Sequence, residues 1–419
     1  MDNLETLGKN AKRASADLLT KSEKEINNLL KRVADLLIEN KEYIKAENKK
    51  DVLISTEKNK SASFIDRLLL TDKVIESVAE GVIKVAKLKS PENKIVYKHK
   101  NREQGIKIEK RLVPFGVVGM IYEARPNVTA DAFALTVKTK NAVILKGGSD
   151  AINSNMAIVG LIKRALKENG FDENTVSLIT DTSHETATKF MQLKEYVDLL
   201  IPRGGASLIK NAVENATVPI IETGTGNCHA YIDEFADICK AVKIIFNAKT
   251  QRYSVCNALE SLVFHKDVVK TALPQIYDKL REKNVVFRCD DISYEILKGK
   301  DGVERATEED FYTEYGDAVI SVKVVDNIGM AIEHINKCST HHSETIITEN
   351  KENADLFRLK IDSSCVYLNA STRFSDGFIF GLGAEIGIST QKLHARGPMG
   401  LNALLTTKYF VSGNGAVRK

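Results

Sequence analysis

Apolar residues recur at helical spacing through the first ninety or so positions. One face of a 3.6-residue helix is formed by Leu29, Leu30, Val33, Leu36 and Leu37. Lysine, glutamate and asparagine occupy the opposite face, and residues 68–70 are interpreted as a second apolar face. The pattern predicts that the chain begins with amphipathic helices.

Apolar and polar residues alternate from 95 to 113, with Gly105 in the middle, which predicts a β-hairpin that turns at this glycine. Residues 404–411 also alternate and are predicted to form a strand that pairs with the hairpin. An exposed hairpin invites contacts between subunits. Residues 95–112 and 400–419 are therefore expected to form an oligomerisation arm of a homo-oligomer.

Four units then repeat one plan, an apolar strand, a turn of small residues and a helix, which is the plan of a parallel sheet. Their predicted strands are 143–145, 176–179, 199–201 and 218–221. Ligands of such sheets bind at the carboxyl ends of the strands. The turns therefore predict a nucleotide or cofactor site, although the first turn has no GxGxxG sequence.

A second α/β region is predicted from about residue 247 to 389, with apolar segments at 261–264, 318–320, 344–347 and 366–368. The predicted organisation is a cofactor domain at 1–94 and 113–246, a catalytic domain at 247–389, and the arm. The fold class is α/β, with a Rossmann-type cofactor domain.

Composition narrows the function classes. The 419 residues carry 60 basic and 56 acidic side chains, a net charge of +4, without a dense basic block, which argues against a nucleic-acid surface. Apolar runs are far shorter than the roughly 20 residues that cross a bilayer. Six cysteines without CxxC spacing and no apolar signal segment favour a reducing cytoplasm. The histidines show no metal-ligand spacing with cysteine, so no metal is expected.

Cys256 lies between polar neighbours and an apolar run, a position suited to a thiol nucleophile. A small buried hydrophobe is the alternative interpretation of this cysteine.

Three groups of residues resemble the gamma-glutamyl phosphate reductases, a family of the aldehyde dehydrogenase superfamily. They are Cys256, the Arg-Pro-Asn sequence at 125–127, and the Glu-Thr-Gly-Thr-Gly sequence at 222–226. The segments 325–346 and 393–400 are similar to the family pattern as well. The resemblance spans residue 10 to the end. Tyr253 departs from it, since the family usually carries proline there, and the change restores a backbone N–H in the nucleophile loop.

The resemblance implies a reduction in two stages, through a thioester on Cys256 that NADPH then reduces to glutamate 5-semialdehyde, the second step from glutamate toward proline. It implies that Asn127 stabilises the oxyanion; the alternative for Asn127 is a turn residue. Glu222 matches the residue that activates water in hydrolytic relatives. Here it is interpreted either as a base for Cys256 or as an architectural residue.

The resemblance also implies a cofactor site. Lys146, with Gly147 and Ser149 in the same turn, matches the segment that reaches the adenine ribose. Ser149 replaces a glutamate of NAD-preferring relatives, which favours NADP because no carboxylate there repels a 2′-phosphate. Gly204 and Gly205 are expected to let the backbone approach the pyrophosphate, or simply to form a turn. Glu314 matches the glutamate that holds the nicotinamide ribose; a solvated glutamate is the alternative.

Arg125 and Arg396 are candidates for holding a carboxylate or phosphate of the small-molecule substrate, gamma-glutamyl phosphate, although arginines serve ion pairs as often. A separate glutamate 5-kinase would supply this substrate. Two other functions stay open: an NAD(P)-dependent aldehyde dehydrogenase that hydrolyses its thioester, and a noncatalytic nucleotide-binding protein. No membrane partner is expected.

Overall fold

The computed structural model describes residues 4–123 and 125–418. The helices in these residues are α1 (Leu4–Leu18), α2 (Glu23–Glu39), α3 (Lys41–Glu57), α4 (Ala62–Leu68), α5 (Asp72–Lys87), α6 (Asn127–Lys138), α7 (Ile152–Glu168), α8 (His184–Met191), α9 (Ala206–Asn215), α10 (Ile238–Thr250), α11 (Lys266–Arg281), α12 (Asp291–Leu297), α13 (Ile328–Cys338) and α14 (Lys351–Lys360). No helix among the described residues has the length and apolar character that a bilayer crossing requires.

The strands are β1 (Ile95–Asn101), β2 (Ile106–Pro114), β3 (Val117–Tyr122), β4 (Ala142–Gly147), β5 (Val176–Leu178), β6 (Leu199–Arg203), β7 (Cys228–Ile232), β8 (Leu259–His265), β9 (Val286–Cys289), β10 (Val303–Arg305), β11 (Val319–Val325), β12 (Ser343–Ile347), β13 (Cys365–Leu368), β14 (Gly387–Ser389), β15 (Gly397–Met399) and β16 (Leu405–Gly413).

The chain divides into two compact units. The first unit comprises Met1–Glu222, Gly381–Gly387 and Met399–Lys419, and the second comprises Thr223–Phe380 and Ile388–Pro398. The boundary expected from the sequence lies after residue 246, whereas this division falls after Glu222. The difference arises because β7 is hydrogen-bonded between β8 and β12 in the sheet of the second unit.

The sheet of the first unit has the strand order β5-β4-β3-β6, and all its strands are parallel. Three of the four predicted strands are present, but residues 218–221 form only a single bridge, between Leu200 and Ile220. Pro219 has no N–H to donate, so this segment cannot extend the ladder. The remaining strand of this sheet is β3, which was not predicted from the sequence.

Strand β3 lies at the centre of this sheet, and all six of its residues are buried. A strand that is buried on both faces is apolar throughout, without alternation of apolar and polar residues. A search for alternating residues therefore does not find β3. Gly119 is required there, because a Cβ atom would lie 2.8 Å from the ring of Phe190. The core on one side of the sheet includes Val117, Ile144 and Leu200.

The predicted N-terminal helices are confirmed for α2. All five apolar positions of its predicted face are buried, and a capping box between Ser22 and Glu25 begins the helix. The second predicted face was wrong in part. Helix α4 ends at Leu68, and Leu69 is 41% exposed while its neighbours are buried.

The hairpin β1–β2 and the strand β16 form a three-stranded antiparallel sheet in the order β1-β2-β16. Gly105 adopts a φ of 65° in the turn, in the left-handed region that favours glycine. Tyr409 of β16 pairs with Lys110, and Glu109 pairs with Phe410, so the predicted pairing of the C-terminal strand is confirmed.

The sheet of the second unit has the order β10-β9-β11-β8-β7-β12-β13, and each pair of neighbouring strands is parallel. Strand β8 is buried along its whole length. Apolar side chains cover the sheet in two clusters, one around Leu262, Phe264 and Phe287 and one around Tyr231 and Val263. Alternate residues of β8 therefore point into different clusters, as expected for a strand buried on both faces.

Candidate active site

In the first unit, the predicted cofactor residues lie beyond the carboxyl ends of parallel strands. Lys146 and Gly147 end β4, the pair Gly204–Gly205 follows β6, and Arg125 and Asn127 follow β3. Because β3 is hydrogen-bonded to both β4 and β6, these residues lie at one edge of the sheet. Ala124, part of the motif at Arg125, lies outside the described residues.

Lys146 is 4% exposed, and burial lowers the pKa of its ammonium group. The charge of Asp181, which follows the neighbouring strand β5, opposes this shift. Hydrogen bonds from Thr186 and from Ser183 lower the pKa of Asp181 to about 2, so this carboxylate is ionised at neutral pH. Asp181 was not among the residues predicted from the sequence, and it adds a negative charge at the edge where an NADP phosphate was expected.

Gly147 and Ser149 have different environments. A Cβ atom at Gly147 would lie 2.2 Å from Nδ2 of Asn155, so the glycine is required by packing against α7. Asn155 is in turn held by the Thr129 hydroxyl, which donates to its Oδ1 at 2.8 Å. Ser149 is exposed at the 3-10 turn that leads into α7, and its side chain therefore faces solvent at the strand end.

The Gly204–Gly205 turn leads into α9, where a helix N-terminus offers unpaired backbone N–H groups. A carboxylate oxygen of Glu123 accepts the N–H of Gly205 at 3.0 Å. A Cβ atom at Gly204 would lie 2.7 Å from the carboxyl carbon of Glu123. The N-terminus of α9 is thus already occupied by an anion, and a pyrophosphate there would have to displace Glu123.

Asn127 begins α6, and its side-chain amide donates from Nδ2 to Oδ2 of Asp131 at 3.3 Å, one helical turn away. Burial raises the pKa of Asp131 to about 6, while the hydrogen bond from Asn127 and the charge of Arg203 limit the rise. No ion pair within 4.0 Å involves Asp131 in the described part of the chain. The hydrogen bond to Asp131 therefore fixes the orientation of the Asn127 amide, with Nδ2 on the side of the acid.

The two remaining candidates of the first unit differ in burial. Arg125 is exposed, and its backbone carbonyl accepts the N–H of Val128 at 3.0 Å in the turn that starts α6. Glu222 is half-buried and is the last residue of the long first segment of this unit.

In the second unit, Cys256 lies in the loop between α10 and β8 and is half-buried as a thiol. Strand β8 lies between β7 and β11 in the sheet. The segments before these strands, including Gly226, Cys256 and Glu314, therefore meet at the amino ends of parallel strands. Tyr253 packs against the apolar core of this unit and thereby anchors the loop where the family usually has proline.

The backbone of Cys256 is in direct contact with Gly226. A Cβ atom at Gly226 would lie 1.4 Å from the carbonyl oxygen of Cys256, so no other residue fits there without moving the nucleophile. The buried thiol of Cys228 donates to the same carbonyl oxygen at 3.2 Å. Gly226, just before β7, and Cys228, the first residue of β7, thus hold the loop that carries Cys256 in place.

An ion pair without solvent exposure spans the nucleophile loop. Lys249, in the last turn of α10, lies 2.6 Å from a carboxylate oxygen of Glu260, the second residue of β8. The other oxygen of Glu260 accepts the N–H of Gly316 at 3.3 Å, two residues after Glu314. Burial raises the pKa of Glu260 to about 7, and the neighbouring Lys249 opposes the rise.

Arg396, the second arginine predicted to bind substrate, is engaged within its own unit. Its guanidinium lies 3.0 Å from both the backbone oxygen and Oδ1 of Asp362. Lys392 pairs with the other oxygen of this carboxylate at 2.7 Å. This is the ion-pair role that was the alternative for an arginine here.

One group of metal-capable side chains occurs among the described residues: Glu234, His265 and Asp267, with ligand atoms within 4.8 Å of one another. Both acids are exposed, and Nδ1 of His265 accepts the backbone N–H of Asp267 at 3.3 Å. This contact makes His265 a helix N-cap at the start of α11.

Three of these supporting residues carried weak signals in the sequence. Gly226 lay in a recognised motif, Asp131 follows Asn127 at i+4, and Glu260 is an acid within an apolar strand. A charge at a position where a strand should be buried is a recognisable exception, and it identifies Glu260 without any structure. Asp181 had no such signal, because polar residues are common in turns.

Comparisons with known proteins agree with this fold. A sequence model described as the aldehyde dehydrogenase family matches residues 2–290. A gamma-glutamyl phosphate reductase from Lachnospira eligens is 52% identical over 419 residues, covering 100% of both chains. A crystal structure of gamma-glutamyl phosphate reductase from Thermotoga maritima superposes with a TM-score of 0.97 at 45% identity, covering 100% of both chains. An acetylating aldehyde dehydrogenase from Geobacillus thermoglucosidasius, 16% identical, shares the fold with a TM-score of 0.69 over 99% of this chain and 97% of its own. The predicted resemblance and fold class are confirmed.

Proposed function

Because the chain belongs to the aldehyde dehydrogenase family and, within it, to the gamma-glutamyl phosphate reductases, we propose that it reduces gamma-glutamyl phosphate to glutamate 5-semialdehyde. The reaction would use NADPH and release phosphate, as the second step from glutamate toward proline. The observation that carries the proposal is a half-buried thiol, Cys256, on a loop fixed by Gly226, in a chain that matches reductases over its full length.

The Cys256 thiolate would attack the acyl carbon, forming a C–S bond while the C–O bond to phosphate breaks and phosphate leaves. NADPH, when bound, supplies a hydride to the acyl carbon of the resulting thioester. As the thiohemiacetal anion collapses, the C=O bond of the aldehyde would form while the C–S bond breaks, and the sulfur would then take a proton. Asn127, with its donor end fixed by Asp131, would stabilise the oxyanion of each addition step.

The residues at the carboxyl edge of the first unit fit a dinucleotide. Lys146 supplies a cation at the end of β4, and α7 and α9 begin just beyond their strands. The Gly205 N–H would become available to a phosphate once Glu123 moves away from it. Glu314, in the second unit, is proposed to hold the nicotinamide ribose, with Gly316 of the same loop held by Glu260.

Gamma-glutamyl phosphate is a labile acyl phosphate, so a kinase acting on the glutamate side chain, glutamate 5-kinase, must supply it. All six cysteines are thiols, in keeping with the cytoplasmic location that we propose.

The sheet β1-β2-β16 is proposed as the oligomerisation arm, since it exposes Tyr97, Tyr409 and Val411 to solvent, each at 50% or more. Light scattering of a variant lacking residues 405–419, compared with the full chain, tests this role.

The test of the activity is the reverse reaction, reduction of NADP⁺ by glutamate 5-semialdehyde, with and without inorganic phosphate. Wild type is expected to require phosphate and to prefer NADP⁺. Cys256→Ala should lose turnover, whereas Cys239→Ala, a change at an exposed thiol of the same unit, should retain it. Equal oxidation without phosphate would instead indicate a hydrolytic aldehyde dehydrogenase, and a wild type without any turnover would indicate a noncatalytic protein.

A further inference from the structure

One arginine that the sequence analysis overlooked is held against the nucleophile loop. Arg373 lies in a short 3-10 helix, Thr372–Phe374, within the second unit. The Thr372 hydroxyl donates to the backbone oxygen of Asn257 at 2.7 Å. The Asn257 amide donates in return to the backbone oxygens of Arg373 at 3.4 Å and of Ser375 at 2.8 Å. Because Asn257 directly follows Cys256, the segment that carries Arg373 is held against the residue next to Cys256.

The guanidinium is fixed from the other end of the same loop. Its Nε donates to Oε1 of Gln251 at 3.0 Å, and Gln251 is the residue that caps α10. Arg373 is therefore placed between residues that flank Cys256 on both sides. Using Nε for this contact leaves the two terminal nitrogens, the pair that forms a fork for oxyanions.

Arg373 forms no ion pair with a carboxylate among the described residues, although the charge of Asp376 acts on it from a longer distance. No acidic oxygen lies within 4.0 Å of its guanidinium among the described residues, in contrast to Arg396 with Asp362. The acid nearest in sequence, Asp376, uses its Oδ1 to accept the backbone N–H groups of Phe378 and Ile379. Burial lowers the pKa of Arg373, and the charge of Cys256 is the main opposing influence.

A half-buried arginine without an ion-pair partner is costly to the folded protein, since no close carboxylate compensates the desolvation of its charge. Such a cation beside a nucleophile is suited to bind an anion that is present only during turnover. The substrate has two anionic groups, the phosphoryl group on the attacked carbon and the α-carboxylate, whose carbon lies four carbon–carbon bonds away from it. Because the Arg373 segment is held against the residue next to Cys256, its cation is better placed for the phosphoryl group than for the α-carboxylate.

We propose that Arg373 binds the phosphoryl group of the acyl phosphate, and inorganic phosphate in the reverse direction, through the two terminal nitrogens of its guanidinium. This inference rests on the proposed function. In that role Arg373 neutralises charge on the leaving group as the C–O bond breaks, and its cation also favours the thiolate form of Cys256.

The experiment measures the KM for inorganic phosphate in the reverse reaction at constant ionic strength. Arg373→Gln is expected to raise this KM by about 10-fold or more, as expected for the loss of charged hydrogen bonds, while the KM for the aldehyde changes by less than about 3-fold. Arg373→Lys should be intermediate, because lysine keeps the charge but not the fork. Arg358→Gln removes an exposed arginine of α14 in the same unit and should behave as wild type.

A second readout does not depend on turnover. Inorganic phosphate should slow the alkylation of Cys256 by iodoacetamide in wild type and in Arg358→Gln, but not in Arg373→Gln. An unchanged phosphate KM together with retained protection would overturn the inference. An increase confined to the aldehyde KM would overturn it as well, assigning Arg373 to the α-carboxylate. If wild type itself shows no phosphate-dependent turnover, the proposed function fails, whereas an active wild type with an unaffected Arg373→Gln refutes the role of Arg373 alone.

Discussion

The two units use opposite ends of their parallel strands. In the first unit the candidate residues follow the carboxyl ends of β3, β4 and β6, and the chain then enters α6, α7 and α9. In the second unit they precede the amino ends of β7, β8 and β11, and Cys256 follows the C-terminal end of α10. Helix N-termini carry partial positive charge and helix C-termini partial negative charge.

This difference determines where the positive charge in each unit comes from. The first unit offers backbone N–H groups at helix starts to an anion, and its side chains Glu123 and Asp181 even add negative charge there. The second unit has Cys256, the proposed nucleophile, beyond a helix C-terminus, where a thiolate gains nothing from the helix dipole. Positive charge near Cys256 would come from a side chain instead, Arg373, which is held by Gln251.

The largest effect is expected from Gly226→Ala in the second unit. The new methyl group would overlap the carbonyl oxygen of Cys256, so the nucleophile loop must move. Turnover should fall on the order of 10³-fold or more, close to the loss of the nucleophile itself. Steady-state kcat measures this, with circular dichroism as a check of folding.

The matched control is Gly160→Ala, at an exposed helical glycine with nothing within 4 Å of the added Cβ. It should retain activity and stabilise the protein by about 0.5–1 kcal/mol. Full activity of Gly226→Ala would show that the loop is not fixed by this contact.

The next effect concerns the buried ion pair. Lys249→Met should destabilise the protein by about 3–5 kcal/mol, because it leaves Glu260 buried without a counter-charge. The double variant Lys249→Met/Glu260→Leu should recover much of this loss. Urea denaturation measures both. If the single and double variants are equally unstable, packing rather than charge explains the loss.

A third prediction concerns Asn127, the proposed oxyanion donor of the first unit, and Asp131, which accepts a hydrogen bond from it. Asn127→Ala should lower kcat about 10²-fold, and Asp131→Ala about tenfold, the value of one hydrogen bond to a charged group. The double variant should be no slower than Asn127→Ala, since Asp131 acts through Asn127. Additive losses would mean that Asp131 acts elsewhere.

The pH dependence of stability follows from the same acid. Burial raises the pKa of Asp131 in the folded protein to about 6, above its ordinary value, so the folded state binds the proton more tightly. The cost of the buried charge is therefore absent at low pH and grows as pH rises through about 6. Asp131→Asn should be more stable than wild type at pH 8, with the difference vanishing near pH 4 in thermal denaturation. An advantage that is equal at both pH values would exclude ionisation as its cause.

The smallest effect is expected at the cofactor edge. Asp181→Ser removes a carboxylate whose charge acts on Lys146, and should raise the ratio of kcat/KM for NADP⁺ over NAD⁺ by about 2–5-fold, the range of an exposed charge. Glu173→Gln, an exposed acid before β5 at the other end of the strand, should leave the ratio unchanged. An unchanged ratio in both variants would mean that Asp181 does not face the 2′-phosphate.

The sequence predicted the arm, the α/β class and most strands, because each of these depends on local periodicity and on turn residues. Several strands were not predicted, among them the central strands β3, which is apolar throughout, and β7. A strand was predicted at residues 218–221, where Pro219 limits pairing to one bridge. Motifs also selected Cys256 and Asn127 as candidates, since their neighbours in the chain carry the pattern. Arg396 was selected in the same way, but its contact with Asp362, 34 positions away, cannot be read from local residues.

The sequence by itself determined the family, the fold class and the position of the thiol, because these depend on residue types at fixed spacing along the chain. Only the tertiary structure decided which side chains support them. Gly226 contacts Cys256 from 30 positions away, Arg373 is held by Gln251 from 122 positions away, and Glu123 reaches Gly205 across 82 positions. Contacts of this kind arise when separate strands and loops pack together, so no pattern within a short window of sequence contains them.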